Sequence, residues 1–421
     1  MQAFAVTKRY LSTRAAPSSA EAVAANMRST TPTRLSPVDK KHARTAWAYF
    51  DRFTDPGRGF CPATRPVDAR PSASSTKGSL GAWEMGATLQ AILSAGRLDL
   101  ISWDDMRARI GVCLHSLASL RLSAQHLPGL SYCNATLRPL DQTAANPTSG
   151  CSARQIMRLV AGFITVAHHC PDLAPEISLI LNGWDLDRLL NRGSFLPARP
   201  SQNTAAPAPP DEYLGYEQYA AKVACLVGLA AEPALNLDPI LGWSSDTTAQ
   251  NLPHDRRQNR RTQPIITSDP FHLEAMEFGW RHDMLDVAAS LFLAQKARFE
   301  TTGQLTALTE DALDQPPGFA VQGLLAPRSP YVSRAQNGTD LSQLKCLSTK
   351  AAFGWWALAP SPYGQKLLDA VGDLQTRNGW QAGIYERSGQ PNSVLSLNTN
   401  AVVLEALHYK SNGPLFAALD P

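Results

Sequence analysis

Apolar side chains recur along this chain mostly at helical spacing. Ile156, Leu159, Val160, Phe163, Val166, Ala167 and Cys170 follow the i, i+3, i+4, i+7 pattern that gathers them on one helix face. Ile110, Cys113, Leu114, Leu117 and Leu120 do the same, as do Trp280, Met284, Val287, Ala288 and Leu291. Further helical patterns cover about residues 37–53, 79–98, 176–190, 212–231, 350–358, 364–377 and 398–409. Strand signals are few: Gly379–Tyr385 and 129–133 are bounded by glycine and predict small hairpin arms in a surface loop layer. The pattern predicts an all-α protein. Helices of about 10–20 residues recur without a strict repeat period, which disfavours a solenoid. Paired helices closing into a ring, with long loops gathered at one end as a cleft, suit a chain of 421 residues.

Composition narrows the function classes. A hydrophobic share of 44% with 18% charged residues allows a sizeable core, and a net charge of +3 gives no reason to expect nucleic acid. No run approaches the roughly 18–20 apolar residues of a membrane span. Residues 1–36 are basic and rich in Ala and Ser, which predicts a disordered tail ahead of a single domain over 37–421. That stretch lacks the continuous apolar region, about 7–15 residues, of a secretory signal. Residues 191–211 carry five prolines and read as an extended loop; 254–261 form a basic loop. The seven cysteines are scattered and never form C-x-x-C, so neither zinc nor a disulfide framework is indicated. Cys133 and Cys151 flank a polar loop and are the pair to consider in an exported protein.

Chemistry enters through five ordered stretches in which a carboxylate or amide stands near aromatic residues. They lie around Trp83-Glu84, Tyr216-Glu217, Glu310-Asp311, Lys350 to Trp355, and Asn398 to Glu405. Carboxylates can perform acid/base work at a glycosidic bond, and flat rings offer sugars an apolar face with a polar rim. No G-x-S-x-G, H-E-x-x-H, phosphate loop or G-x-G-x-x-G competes with this reading. His168 and His169 are adjacent on a helix, where side chains diverge by about 100° and are poorly placed to chelate together. No metal or cofactor is implied.

In their order, these stretches resemble a bacterial family of uncharacterised, glucoamylase-like proteins, domain-of-unknown-function family 3131. The likeness runs from about Ala43 to Gly413 and is closest at 347–355 and 398–405. The resemblance implies an α/α toroid of six helical hairpins, the fold of many glycosidases acting on glucans, and commonly an exported protein. One departure stands out: the family's tryptophan is followed by aspartate, whereas Glu84 stands here. The extra methylene moves the carboxylate by roughly 1.5 Å.

The expected activity is glycoside hydrolysis of a bacterial glucan or exopolysaccharide by two carboxyl groups. The alternative is a non-catalytic polysaccharide-binding or export-assembly protein on the same scaffold. Glu310 and Glu84 are the first candidates for catalysis, with Asp311 as substitute; each also suits a helical first turn, Glu310 and Asp311 after Thr309 as cap. Glu217 and Asp269 are candidate substrate ligands, although Asp269 before Pro270 also reads as a helix start. Trp83, Tyr216, Trp380 and Tyr385 are candidate sugar platforms, the last two within a glycine-bounded loop; of Trp355 and Trp356 at least one is expected in the core. Lys350, Asn398 and Asn400 either cap helices or bond ligand hydroxyls.

Overall fold

The computed structural model describes residues 19–69, 78–140, 150–196, 213–245, 251–257, 265–325 and 331–417. Residues 1–18, most of the proline-rich segment and residues 258–261 of the basic loop lie outside the described residues. Thirteen α-helices are formed there: α1 (Ser19–Arg28), α2 (Pro37–Phe53), α3 (Ala82–Arg97), α4 (Trp103–Ala118), α5 (Ala153–His169), α6 (Ala174–Asn182) and α7 (Tyr216–Leu226). They continue with α8 (Glu232–Leu235), α9 (Asp269–Phe278), α10 (His282–Thr302), α11 (Thr349–Leu358), α12 (Pro362–Val371) and α13 (Leu397–Asn412).

Local chemistry sets several helix starts. Ser36 accepts the Asp39 N–H at 3.1 Å while the Asp39 carboxylate accepts the Ser36 N–H at 3.0 Å, a reciprocal cap ahead of Pro37. Ser152, Ser348 and Ser396 cap α5, α11 and α13 through their hydroxyls.

From α2 onward the helices alternate between two rings, giving an α/α toroid. The inner helices α3, α5, α7, α9, α11 and α13 pack each on the next, and α13 returns to α3. The connections leading out from the inner ring are short, from three residues (279–281) to five (98–102). Those leading in are long, from 25 residues (372–396) to 46 (303–348), and they carry all the strands described. Since paired helices run antiparallel, every inner helix begins on the face where the long connections lie. That face is where a site can be built from many distant segments.

Two expectations need correction. Part of the expected disordered tail is the helix α1, which packs on α10 with Met27 fully buried. Its apolar face is too short to stand out in the sequence. The strand Gly379–Tyr385 is no surface arm. It pairs antiparallel with Pro391–Ser396, Cys346–Ser348 and Gln375–Thr376, and Thr64–Pro66 completes a five-stranded sheet. This sheet packs on α2 and α11, and the Trp380 indole N–H reaches the His42 carbonyl at 3.1 Å. Burial on both faces removes the alternation that would have marked a core strand.

The contact between α3 and α5 depends on glycine. A Cβ at Gly86 would lie 2.3 Å from the Arg158 carbonyl oxygen, whereas one at Gly111 would meet nothing within 4 Å. Gly86→Ala should therefore cost about 1–3 kcal/mol or more through overpacking. Gly111→Ala should be neutral or stabilising by up to about 1 kcal/mol, since alanine favours helix. Denaturant unfolding of both variants checks this, and equal effects would show that the helices do not touch at Gly86. Deleting residues 1–28 should lower the thermal midpoint, because it uncovers the surface on α10 that Met27 occupies; an unchanged midpoint would show that α1 does not pack there in solution.

Candidate active site

The first turns of the inner helices converge on one cavity of about 240 Å³. Trp83 and Glu84 come from α3, Arg154 and Gln155 from α5, Lys350 from α11 and Asn398 from α13. Glu310, Asp311, Phe319 and Gln336 close it from the longest connection, between α10 and α11. Tyr216 and Asp269, at the starts of α7 and α9, support the floor from behind. All six inner helices thus aim their N-termini at this region. Each N-terminus carries a partial positive charge, which favours the carboxylates gathered there by roughly 0.3–1 kcal/mol apiece.

Glu84 lines the cavity while taking the Gly81 N–H on Oε2 at 2.7 Å. A side chain at Gly81 would strike Gln155 Oε1 at 2.7 Å and the Leu130 carbonyl at 2.8 Å, so glycine keeps this crowded cap open. Burial holds the Glu84 carboxyl above its ordinary pKa, with the Gly81 N–H and the Arg154 charge acting against it. Glu310 accepts the Tyr216 hydroxyl on Oε1, and its Oε2 lies 3.9 Å from Arg154 Nη1. Arg154 therefore lies within electrostatic reach of both carboxyls. Its guanidinium is held over the rings of Tyr216 at 4.7 Å, Trp83 at 5.8 Å and Tyr213 at 5.9 Å.

Glu310 and Asp311 do not open a helix. Residues 303–310 are irregular, and Asp311 begins a short strand paired with Phe319–Leu324. Asp311 is deeply buried, and its pKa is pushed up to about 8 by burial, with the Lys350 charge and the Ser348 hydroxyl opposing. Lys350 is 2.9 Å from Asp269, and both are almost fully enclosed. Burial lowers the Lys350 pKa, but Asp269, Asp311 and Glu310 together outweigh it and leave the ammonium above its ordinary value. Asp269 Oδ2 lies 3.1 Å from the same Tyr216 oxygen, so one hydroxyl proton is placed between two carboxyl groups.

The remaining candidates divide. Asn398 is on the cavity wall, where its side-chain oxygen accepts the Trp83 indole N–H at 3.3 Å. Glu217 turns aside to an ion pair with Arg257. Asn400 is buried and caps the Trp380 backbone N–H at 2.8 Å. Trp380 and Tyr385, expected as open sugar platforms, are instead core: the Tyr385 hydroxyl donates to Asp314 at 2.6 Å. Tyr216 is likewise enclosed, and Trp355 and Trp356 are both buried. Arg154 and Gln155 were not singled out from the sequence. Arg154 and Arg158, four residues apart on an otherwise apolar helix, were the available signal.

Asp311 gives the site a pH signature. With a pKa near 8 in place of 3.8, the folded protein keeps a proton that the unfolded chain loses, across about pH 4 to 8. Its contribution to stability is complete below about pH 4 and is lost as pH rises through about 8. Asp311→Asn should remove this loss, so thermal midpoints of wild type and variant should diverge with rising pH. Parallel curves would contradict a buried neutral carboxyl.

Comparisons with known proteins agree with this architecture. The endo-β-1,2-glucanase from Chitinophaga pinensis superimposes with a TM-score of 0.64 at 12% identity, covering 91% of this chain and 94% of that one. A Bacteroides fragilis protein provisionally described as a glucoamylase gives 0.64 at 12% identity, over 92% and 94%. The endo-β-1,2-glucanase from Talaromyces funiculosus, solved with sophorose, gives 0.59 at 10% identity, over 90% and 84%. At such identities the likeness is one of fold. No curated protein matches the chain in sequence. Across residues 41–413, however, the chain matches and belongs to the family described as a protein of unknown function, DUF3131.

Proposed function

We propose that this protein is a glycoside hydrolase acting on a bacterial glucan or exopolysaccharide, with Glu84 and Glu310 as its working carboxyl pair. The observation that carries the reading is the meeting of both side chains, with Arg154 beside them, in one cavity on the loop-rich face of the toroid. Glycosidic cleavage needs one carboxyl group to protonate the departing oxygen and a second to serve as nucleophile or as base toward water. Glu84 suits the acid role. Burial favours its protonated form, and the Gly81 N–H occupies Oε2, leaving Oε1 to carry the proton. Glu310 takes the complementary role, oriented by the Tyr216 hydroxyl and Arg154. Asp311 is the first substitute for either.

Asn398 and Gln155 supply hydrogen bonds for sugar hydroxyls at the wall, and Trp83 supplies apolar edge. The cavity accommodates the reacting sugars, and the remainder of a polymer runs across the mouth. Endo-β-1,2-glucanases among the proteins sharing this fold make glucans the first substrate class to test. One observation favours the alternative, a carbohydrate-binding protein without turnover: Glu84 already serves as the partner of its own helix start.

Incubation with a panel of glucans, followed by product analysis, separates the two readings. On a substrate that the parent cleaves, Glu84→Gln and Glu310→Gln should each lower turnover by about 10²–10⁴-fold with folding and binding retained. Near-wild-type turnover in both variants would overturn the assignment.

A further inference from the structure

A second concave surface lies on the same face of the toroid, outside the carboxylate cavity. It is an open groove of about 640 Å³ whose walls include Arg58, His115, Arg121 and Arg138, with the Ser119 and Thr136 hydroxyls at its edge. No carboxylate lines it. Of its arginines, Arg58 is paired to Asp55 at 2.8 Å, while Arg121 and Arg138 are exposed and have no carboxylate partner among the described residues. A whole-chain net charge of only +3 makes three guanidiniums around one depression a local concentration of charge. Guanidiniums present a planar fork of donors that matches carboxylate and phosphate oxygens.

The groove is built, not accidental in its placing. Asp55 Oδ1 accepts the Gly57 and Arg58 N–H groups at 2.9 and 3.1 Å, fixing the turn that presents Arg58. The Cys113 thiol ties that turn to α4 through the Gly59 carbonyl at 3.2 Å. On the other wall, Arg138 follows a loop anchored by its own N–H to the Thr136 hydroxyl at 3.3 Å. The positive field is felt by Cys133, whose thiol pKa is lowered by the Thr136 hydroxyl first and by Arg58 among the further causes.

This wall is continuous with the candidate active site. The strand Tyr132–Cys133 pairs with Ser79–Leu80, and Asn134 N–H bonds the Gly78 carbonyl at 2.9 Å. Gly81, directly after that strand, is the residue whose N–H Glu84 accepts. The strand pair thus links the Gly81 edge of the cavity to the Thr136–Arg138 wall of the groove.

We propose that this groove binds an oxyanion, a carboxylate or phosphate group. Resting on the glycan reading above, it makes the substrate class an acidic glycan whose charged group is held there while another linkage of the same chain occupies the cavity. The same chemistry is offered by a free phosphate ion, and the two sources are separable.

Calorimetric titrations test this without reading turnover. Inorganic phosphate, a glucuronate-bearing oligosaccharide and its neutral counterpart are each titrated into wild type and into the double variant Arg121→Gln/Arg138→Gln. Both arginines are exposed, so the variant should keep its fold, which circular dichroism verifies; Arg138→Glu alone should act in the same direction. The expected result is binding of an anionic ligand that weakens with salt and falls at least about tenfold in the double variant, as for loss of a charge-assisted bond. Phosphate binding as tightly as the acidic oligosaccharide would identify a free-anion site. Tighter binding of the acidic oligosaccharide than of either control would place the anion on the glycan. No binding of either anionic ligand, or equal binding by wild type and double variant, would overturn the proposal. Cleavage of a neutral glucan alongside failed anion binding would leave the hydrolase reading standing; the reverse outcome would remove that reading and leave the oxyanion site.

Discussion

One fully buried arginine holds the inner ring together. Arg158 of α5 pairs with Glu277 of α9 and, at 2.8 Å, with Glu405 of α13, and it meets the Tyr219 hydroxyl of α7 at 3.3 Å. Four of the six inner helices thus share one charged junction. Removing such ions from water costs several kcal/mol each, a cost offset here by partners supplied from different helices. One guanidinium serves two carboxylates, and burial keeps Glu405 above the ordinary carboxylate range despite Arg158. Breaking a buried pair of this kind typically costs about 3–5 kcal/mol.

The same junction explains why the candidate site has a fixed shape. Arg154 and Arg158 are one turn apart on α5, and Tyr216 and Tyr219 are one turn apart on α7. The helices locked at the lower level present Arg154, Tyr216, Asp269 and Asn398 at the upper one. Lys222 and Glu274, 3.7 Å apart and both buried, join α7 to α9 separately, where Lys222 Nζ also donates to the Gly279 carbonyl at 3.3 Å. The centre of the ring is therefore polar where the Arg158 junction lies beneath the carboxylate cavity. Rigid support of this kind is what acid/base chemistry needs, since functional groups must be held to within about half an ångström.

Much of the ring was legible in the sequence. The helix α5 shows one long apolar face, and α2 is marked by Pro37 at its start. The strand Gly379–Tyr385 was legible as a strand but not as core, because its sheet also takes in residues 346–348 beside it and 64–66 beyond Pro391–Ser396, which only the fold brings together. Glu310 and Asp311 resembled a helical first turn because Thr309 precedes them, yet the chain there is pinned by contacts from other helices. Tyr216 reaches Glu310 across 94 residues, and Arg158 reaches Glu405 across 247. Local spacing carries no record of such partners. Aromatics misled for a related reason: Trp380 and Tyr385 look exposed between glycines, but the glycines admit close strand packing over them.

The central claim is that the polar centre of the ring lies beneath a cavity that holds a glycosidic bond between Glu84 and Glu310. The most direct measurement is a crystal structure of the Glu310→Gln variant soaked with an oligosaccharide drawn from the glucans above. The account predicts a sugar in the cavity whose glycosidic oxygen lies within hydrogen-bond reach of Glu84, with position 310 facing the same linkage. An oligosaccharide bound elsewhere on the ring, or one in the cavity with Glu84 turned away from the linkage, would contradict it.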